Sequence, residues 1–441
     1  MDDTIDDDFI LIDHPCRPPT TSATSTTPSY LPTISTHINT LSPKLRDISL
    51  TIHDNPELNY EEFTAYALLV GFFEGLGGWK VEEKACGIET AFIAVFENGG
   101  REEGKEGINA LPGIGHACGH NLIAIASISA ALATKHVMEK FDIPGKVVLF
   151  GTPAEEGTSD FVDSIGCSKL GRATEAAITP SISHIPRELS GAVAIHKVEK
   201  LRASLGGDTL LTSQHISIYT QHSGGGKIAL LNAGAYAKHN VDISLISHPG
   251  ITPDASLVRT SAFQAFRIEY FGLEAHAAAA PWEGINALDA LITAYTSISV
   301  LRQQTQSGDI IQGCITQGGV KPNIIHAYAS GDFVASTDQG DISHAMPSIS
   351  AGFRIESVAR DGGQGGGPHT PDFTRASRTE KAHEKALMVG KALAATAVDV
   401  LTVEGYLEEI KKEFKRGREQ IAEVNGLREA TSSSKLYASP I

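Results

Sequence analysis

The stretch GIGHACGHN, Gly113 to Asn121, sets His116, Cys118 and His120 at alternate positions between glycines. Imidazole and thiolate are ligands for divalent metals such as zinc, and a catalytic zinc site keeps one position open for water. In an extended or loop segment, side chains two residues apart face the same way, so Cys118 and His120 can converge on one point. The helix expected after them, with Asn121 as its N-cap, adds positive potential that favours a thiolate. Three ligands within so short a run would strain the geometry, which makes His116 the odd one out. A reduced core cysteine beside loop histidines is the other reading, and the motif alone does not choose.

Further candidates stand at the ends of apolar runs. In GKVVLFGTPAEEG a β-rich run delivers Glu155 and Glu156 at its end. Adjacent carboxylates usually form a solvated pair. At a strand end they can divide the labour, one binding metal while the other takes a proton from water. NVDISLISHPG ends a second strand at His248, and GGGPHTPDF places His369 after a glycine-rich loop. Each histidine alone would read as structural, and together they gain weight.

The elements that must carry these groups follow from apolar spacing. Leu45, Ile48 and Ile52 share one helical stripe, and Ala65, Leu68, Leu69 and Phe72 another, with Pro56 breaking the run and Gly75 stopping it. NLIAIASISAALATKHVMEKF reads as a buried helix. Helix, strand and a polar group at the strand end recur, which is the pattern of an α/β sheet with its site beyond the carboxyl ends of the strands. From about residue 257, SAFQAFRIEYFG, GINALDALITAYTSISVLRQQ, DIIQGCITQGG and IIHAYASGDFVAS read as strand, helix, strand, strand, a small α+β domain inserted into the first.

Composition narrows the function classes. The chain has 441 residues, 41% hydrophobic and 20% charged, enough for more than one domain. Its net charge of −16 argues against nucleic acid or an anionic membrane as the main partner. Five scattered cysteines suit a reducing, cytoplasmic compartment rather than a disulfide framework. The acidic N-terminus does not read as a secretory signal. No uninterrupted apolar run reaches the roughly 20 residues a membrane span needs.

HDNPELNYEE, ALPGIGHACGHNLIA, GTPAEEG, GGGKIALLNAGAY, SHPG, EAHAAAAPWEGINALDA, GGVKPNIIHAYA, STDQGDIS and HTPDF occur in this order. Together they resemble the aminoacylase and amidohydrolase group called metallopeptidase family twenty, its cytosolic dipeptidase-like branch most of all. The resemblance implies an α/β catalytic domain, with a mostly parallel central sheet flanked by helices and a truncated α+β lid or dimerisation domain inserted in it. It implies two divalent metal ions, zinc above manganese or cobalt. Cys118 would bridge them, with His120, Glu156, His248 and His369 as the other ligands. Glu155 would be the general base. His276 and Asn323 match lid residues that reach a partner subunit's site, which implies a homodimer. The substrate would be a small dipeptide, weakly suggested to carry a basic residue, or an N-acyl amino acid. The expected layout is a disordered tail over 1–42, catalytic segments over 43–256 and 336–405, the lid over 257–335, and a polar C-terminal tail over 406–441.

Three departures from the family pattern stand out. NGGREEGKEGIN, ending at Asn109, replaces an apolar strand that ends in an acidic residue. Residues 158–223 form an atypical insert, whose His196 could mimic His248. The flanking GGGKIALLNAGAY and HPG favour His248. The lid passes directly from NIIHAYASGDFVA to STDQGDIS, without a second lid helix, a last lid strand bearing an arginine, or the next part of the catalytic domain. The remaining lid helix should therefore expose a face. Clean family text resumes on both sides of each break, which suggests splicing or gene-model errors, or an inactive isoform. Three readings follow: a metal-dependent amide hydrolase, a catalytically impaired relic that acts as a binding protein, and a structural zinc protein.

Overall fold

The computed structural model describes residues 29–58, 60–99, 107–110, 119–154, 215–221, 225–258, 265–301, 311–333 and 338–435. The first half supplies helices α1 (Leu31–Asp54) and α2 (Phe63–Glu74), strands β1 (Lys80–Glu83), β2 (Phe92–Asn98) and β3 (Gly107–Ala110), helix α3 (His120–Phe141) and strand β4 (Gly145–Gly151). Helix α1 corrects the expected tail over 1–42. Ile34, Ile38, Leu45, Ile48 and Ile52 form one buried stripe, so the apolar repeat starts within a Pro- and Thr-rich stretch whose composition hid it. The helix runs on through Pro43. Replacing Ile38, which is fully buried, with alanine is expected to cost about 2–5 kcal/mol in a urea melt. No change would return those residues to a tail.

Strand β5 (His215–Gln221), helices α4 (Gly226–Asn232) and α5 (Ala235–Lys238) and strand β6 (Val241–Gly250) follow. Then come β7 (Ala265–Phe271), β8 (Ala275–His276), α6 (Ala287–Val300), β9 (Gly313–Gln317), β10 (Ile324–Ile325) and β11 (Tyr328–Phe333). The chain closes with α7 (Gln339–Ala345), β12 (Ser348–Arg354), α8 (Pro371–Ser377), α9 (Glu380–Thr402) and α10 (Tyr406–Lys435).

The large sheet has the order β1-β2-β4-β3-β6-β12. The β4–β3, β3–β6 and β6–β12 pairings are parallel, while β1–β2 and β2–β4 are antiparallel. This is a mixed α/β architecture. Alternation along β4 shows both faces are covered. Val147 and Leu149 face the core built by α1, α3 and α9, and Val148 and Phe150 face the one with Tyr236 and Ile342. Such double burial is what parallel strands require. NGGREEGKEGIN was expected to be a poor core strand, yet its last three residues lie in the four-residue β3, hydrogen-bonded on both sides at the sheet centre. Four residues suffice because both neighbours satisfy its backbone.

Helix α3 is long and apolar enough to cross a membrane by length and composition, unlike the expectation from uninterrupted runs. Instead, most of it is buried inside the fold. Asn121 is not its cap. Gly119 holds that position with φ 76°, and the Asn121 amide donates to Ser49 Oγ at 3.0 Å and the Ser377 carbonyl at 3.1 Å.

The small sheet has the order β5-β7-β11-β9, antiparallel throughout. Its edge strand β5 comes from within 158–223. The insert therefore supplies a strand to the sheet expected from 257–335 alone, which corrects that boundary. Phe266, Ile268, Tyr270, Ala329 and Phe333 pack under Leu291 and Ala294 of α6. Ile292 and Val300 on the same helix remain exposed. The strand-like GAVAIHK lies outside the described residues. The expected polar tail over 406–441 is also corrected, since α10 runs to Lys435. Its Leu407 is buried, Ile410 packs on the same core, and Lys411 pairs with Asp242.

Candidate metal centre

Three chain segments that carry expected ligands meet around Gly119. A Cβ at this glycine would sit 3.0 Å from Pro249 Cγ, one residue past His248, and 3.3 Å from Phe373 Cε1, in the first turn of the helix after His369. Its positive φ adds to the demand for glycine. His120 opens α3 and is fully buried. His248 lies near the carboxyl end of β6, half-buried, with its ring edge-on to His120 at a centroid distance of 6.0 Å and an interplanar angle of 81°. Nδ1 of His248 sits 2.7 Å from the Pro249 carbonyl, so it is protonated and donates. That tautomer puts the ring lone pair on Nε2, the arrangement that metal-binding histidines adopt. His369 precedes α8, whose N-cap Thr370 accepts from the Phe373 N–H at 3.3 Å. Its own φ of 68° is unusual for a residue with a side chain.

Cys118, Glu155 and Glu156 lie outside the described residues, as do His116 and His196. Among the described residues, no three His, Cys, Asp or Glu side chains form a group that could hold an ion. The described part is thus the His120–His248 pair, whose donor chemistry suits a divalent cation. His276 and Asn323 are brought together on a separate two-stranded ribbon. His276 is paired with Ile324 in the β8–β10 ladder, and the Ala277 N–H donates to the Asn323 carbonyl at 3.0 Å. Nδ1 of His276 accepts from the N–H groups of Ala278 and Ala279, both at 3.2 Å, which fixes the ring.

Sequence reasoning missed a set of buried charges behind the β4 terminus. Lys227 and Asp338 are both fully buried, and their ion pair spans 2.5 Å. Asp338 also accepts from the Lys227 backbone N–H at 3.1 Å. Glu62 is 1% exposed. Its carboxylate accepts from the Ala154 N–H at 2.8 Å and from the Thr90 hydroxyl at 3.2 Å. The signal available was charge inside glycine-rich or motif text, in SGGGK, STDQGD and NPELNYEE.

Burial pushes the Glu62 carboxyl up to about 7, against the opposing pull of hydrogen bonds from the Ala154 N–H, its own N–H and the Thr90 hydroxyl. Burial, followed by the Asp338 charge, pushes Asp341 up to about 6. An acid whose folded value lies above its unfolded one stabilises the fold at low pH and loses that contribution as pH rises. For Glu62 the window runs from the ordinary 4.5 to about 7. Urea melts are therefore expected to show stability falling from pH 5 to pH 8, by up to roughly 3 kcal/mol from this group. Glu62→Gln should flatten the slope, and an unchanged slope in that variant would refute the assignment.

No family model matches the chain. It is 28% identical to the Xaa-Arg dipeptidase of Mus musculus, over 86% of this chain and 90% of that protein. The Xaa-Arg dipeptidase of Homo sapiens is also 28% identical, with the same shares. Among solved structures, a dinuclear metal binding peptidase of the M20 family from Bacillus subtilis aligns at TM-score 0.42 and 12% identity, covering 83% of this chain and 99% of that one. The two dipeptidases match the chain across most of its length. This similarity supports assigning the chain to the hydrolases of metallopeptidase family twenty, the aminoacylase and amidohydrolase group.

Proposed function

We propose that the chain hydrolyses the amide bond of dipeptides or N-acyl amino acids at a centre for two divalent metal ions, zinc fitting best and manganese or cobalt also suiting the donors. The observation that carries this reading is the edge-on pair of His120 and His248 at the strand end, with His248 held in the metal-binding tautomer. Cys118, Glu156 and His369 would complete the set of residues that hold the ions. When bound, the ions supply Lewis-acid polarisation of the carbonyl and a lowered pKa for water. Glu155 takes the proton from the attacking water and returns it to the leaving amine. His276 and Asn323 hold the substrate and its developing oxyanion, delivered by the lid of a second copy. The lid comprises residues 257–335 together with β5, and the catalytic body the remaining described elements. A cytoplasmic location fits the sparse cysteines.

The dipeptidase relatives favour the hydrolase over the relic. The name Xaa-Arg dipeptidase, with the resemblance noted above, points to dipeptides with a basic C-terminal residue as first substrates. The test pairs metal content with hydrolysis on one purified sample. Zn²⁺-, Mn²⁺- and Co²⁺-loaded protein would be assayed on dipeptides ending in Arg, Lys, Ala and Glu. We expect two ions per chain, turnover on the basic pair, and loss of turnover without unfolding on chelation. A single ion whose removal unfolds the chain would establish the structural zinc reading instead. Two ions without turnover on any peptide would establish the relic.

A further inference from the structure

The turn Thr152-Pro153-Ala154 joins β4 to the two glutamates that the proposed reaction needs. Ala154 is buried and takes φ 55°, a left-handed conformation that resists a side chain. Two glycines press on this turn from one side. The Gly226 N–H donates to the Pro153 carbonyl at 2.8 Å, and a Cβ at Gly226 would sit 2.4 Å from that oxygen. A Cβ at Gly225 would lie 3.1 Å from the Ala154 carbonyl. From another side comes Glu62, whose carboxylate accepts the Ala154 N–H. Glu62 does not serve its own helix. Glu57 caps α2 instead, taking the N–H groups of Thr64 and Ala65 at 2.7 and 3.0 Å. A buried carboxylate placed against one backbone amide, while a neighbour does the capping, is a part with a separate task.

We propose that Glu62 is a positioning residue. Its carboxylate holds Ala154 in the left-handed turn and thereby aims Glu155 and Glu156, the next two residues in the chain. This inference rests on the hydrolase reading above. Thr90 steadies the far oxygen of Glu62, so the carboxylate is itself oriented. Without Glu62 an alanine at this position would relax towards negative φ, swinging the residues that follow. A glycine would not need to, since it adopts positive φ freely.

Full-length protein loaded with Zn²⁺ would be compared as wild type, Glu62→Ala, Glu62→Gln and Glu62→Ala with Ala154→Gly. Two readouts are needed: kcat and KM on the best-cleaved dipeptide of the panel, and amide hydrogen exchange of the peptide covering residues 151–155. Misplacement of a reacting group by about 1 Å can cost on the order of 10²-fold. We expect Glu62→Ala to lower kcat by about 10- to 100-fold with KM changed less than about threefold. Exchange at Ala154 should speed up in the same variant. Glu62→Gln keeps an acceptor for the Ala154 N–H, so it should retain slow exchange and most of kcat. Adding Ala154→Gly to Glu62→Ala should recover part of the lost kcat. Unchanged exchange in Glu62→Ala would overturn the proposal. So would a Glu62→Gln as impaired as Glu62→Ala, or a double variant no better than the single one. An inactive wild type would refute the hydrolase reading alone, because the exchange measurement still decides whether Glu62 holds the turn.

Discussion

Glu155→Ala is expected to lower kcat by about 10²–10⁴-fold, the range a positioned general acid–base supplies. Metal content should stay at the wild-type value, because the proposed ligand is its neighbour Glu156. KM should change little, since the role proposed for Glu155 is to move protons rather than to bind the substrate. Glu156→Ala should behave differently, losing metal as well as turnover. The informative comparison is a pair of measurements on each variant, metal per chain and kcat. Equal activity in Glu155→Ala would remove it as the base. Metal loss in that variant would exchange the roles of the two glutamates. The family resemblance supplies the assignment, and the turn that leads into these residues is hydrogen-bonded to Glu62 and Gly226.

Lys227→Met should be among the most destabilising single changes in the protein. Both partners of the Lys227–Asp338 pair are fully buried. Removing the cation strands a carboxylate, which costs about 3–5 kcal/mol in comparable cases. Asp338 would keep the Lys227 backbone N–H, which offsets part of the loss. Gly225 is required beside the pair, since a Cβ there would lie 2.2 Å from Asp338 Oδ2. Replacing both partners with apolar residues of similar size, Lys227→Met with Asp338→Leu, should recover much of the stability, because no charge is left buried. Urea melts of the two variants beside wild type provide the check. A double variant as unstable as Lys227→Met would mean that the pair also fixes the backbone around it.

How much was legible in the sequence depended on the range of the interaction. The segments of His120, His248 and His369 stood out because each ends an apolar run or lies by a glycine-rich loop, and the structure brings Gly119 next to the segments of the other two. Strands β4, β6, β7 and β11 and helix α6 were readable from local periodicity. The place of β5 was not, because its partner β7 lies more than 40 residues away and nothing in HISIYTQ names it. The first half of helix α1 and the whole of α10 were missed for a different reason. Their polar and proline-rich composition concealed apolar residues at helical spacing, Ile34 and Ile38 in one and Leu407 and Ile410 in the other. Glu62, Lys227 and Asp338 were missed because charge ordinarily implies exposure, and only tertiary pairing makes its burial tolerable.

The origin of β5 alters how the two sheets are tethered. An ordinary inserted module hangs from its host by two strands of chain. Here the small sheet is joined to the large body at four places: between Ala154 and His215, between Gln221 and Gly225, between Gly250 and Ala265, and between Phe333 and Asp338. The second and fourth connections can reach at most about 14 and 18 Å when drawn out fully. A module hung from two anchors can swing like a door, whereas one with extra anchors, two of them short, has fewer ways to turn. Independent rotation of the small sheet against the large one is thereby limited.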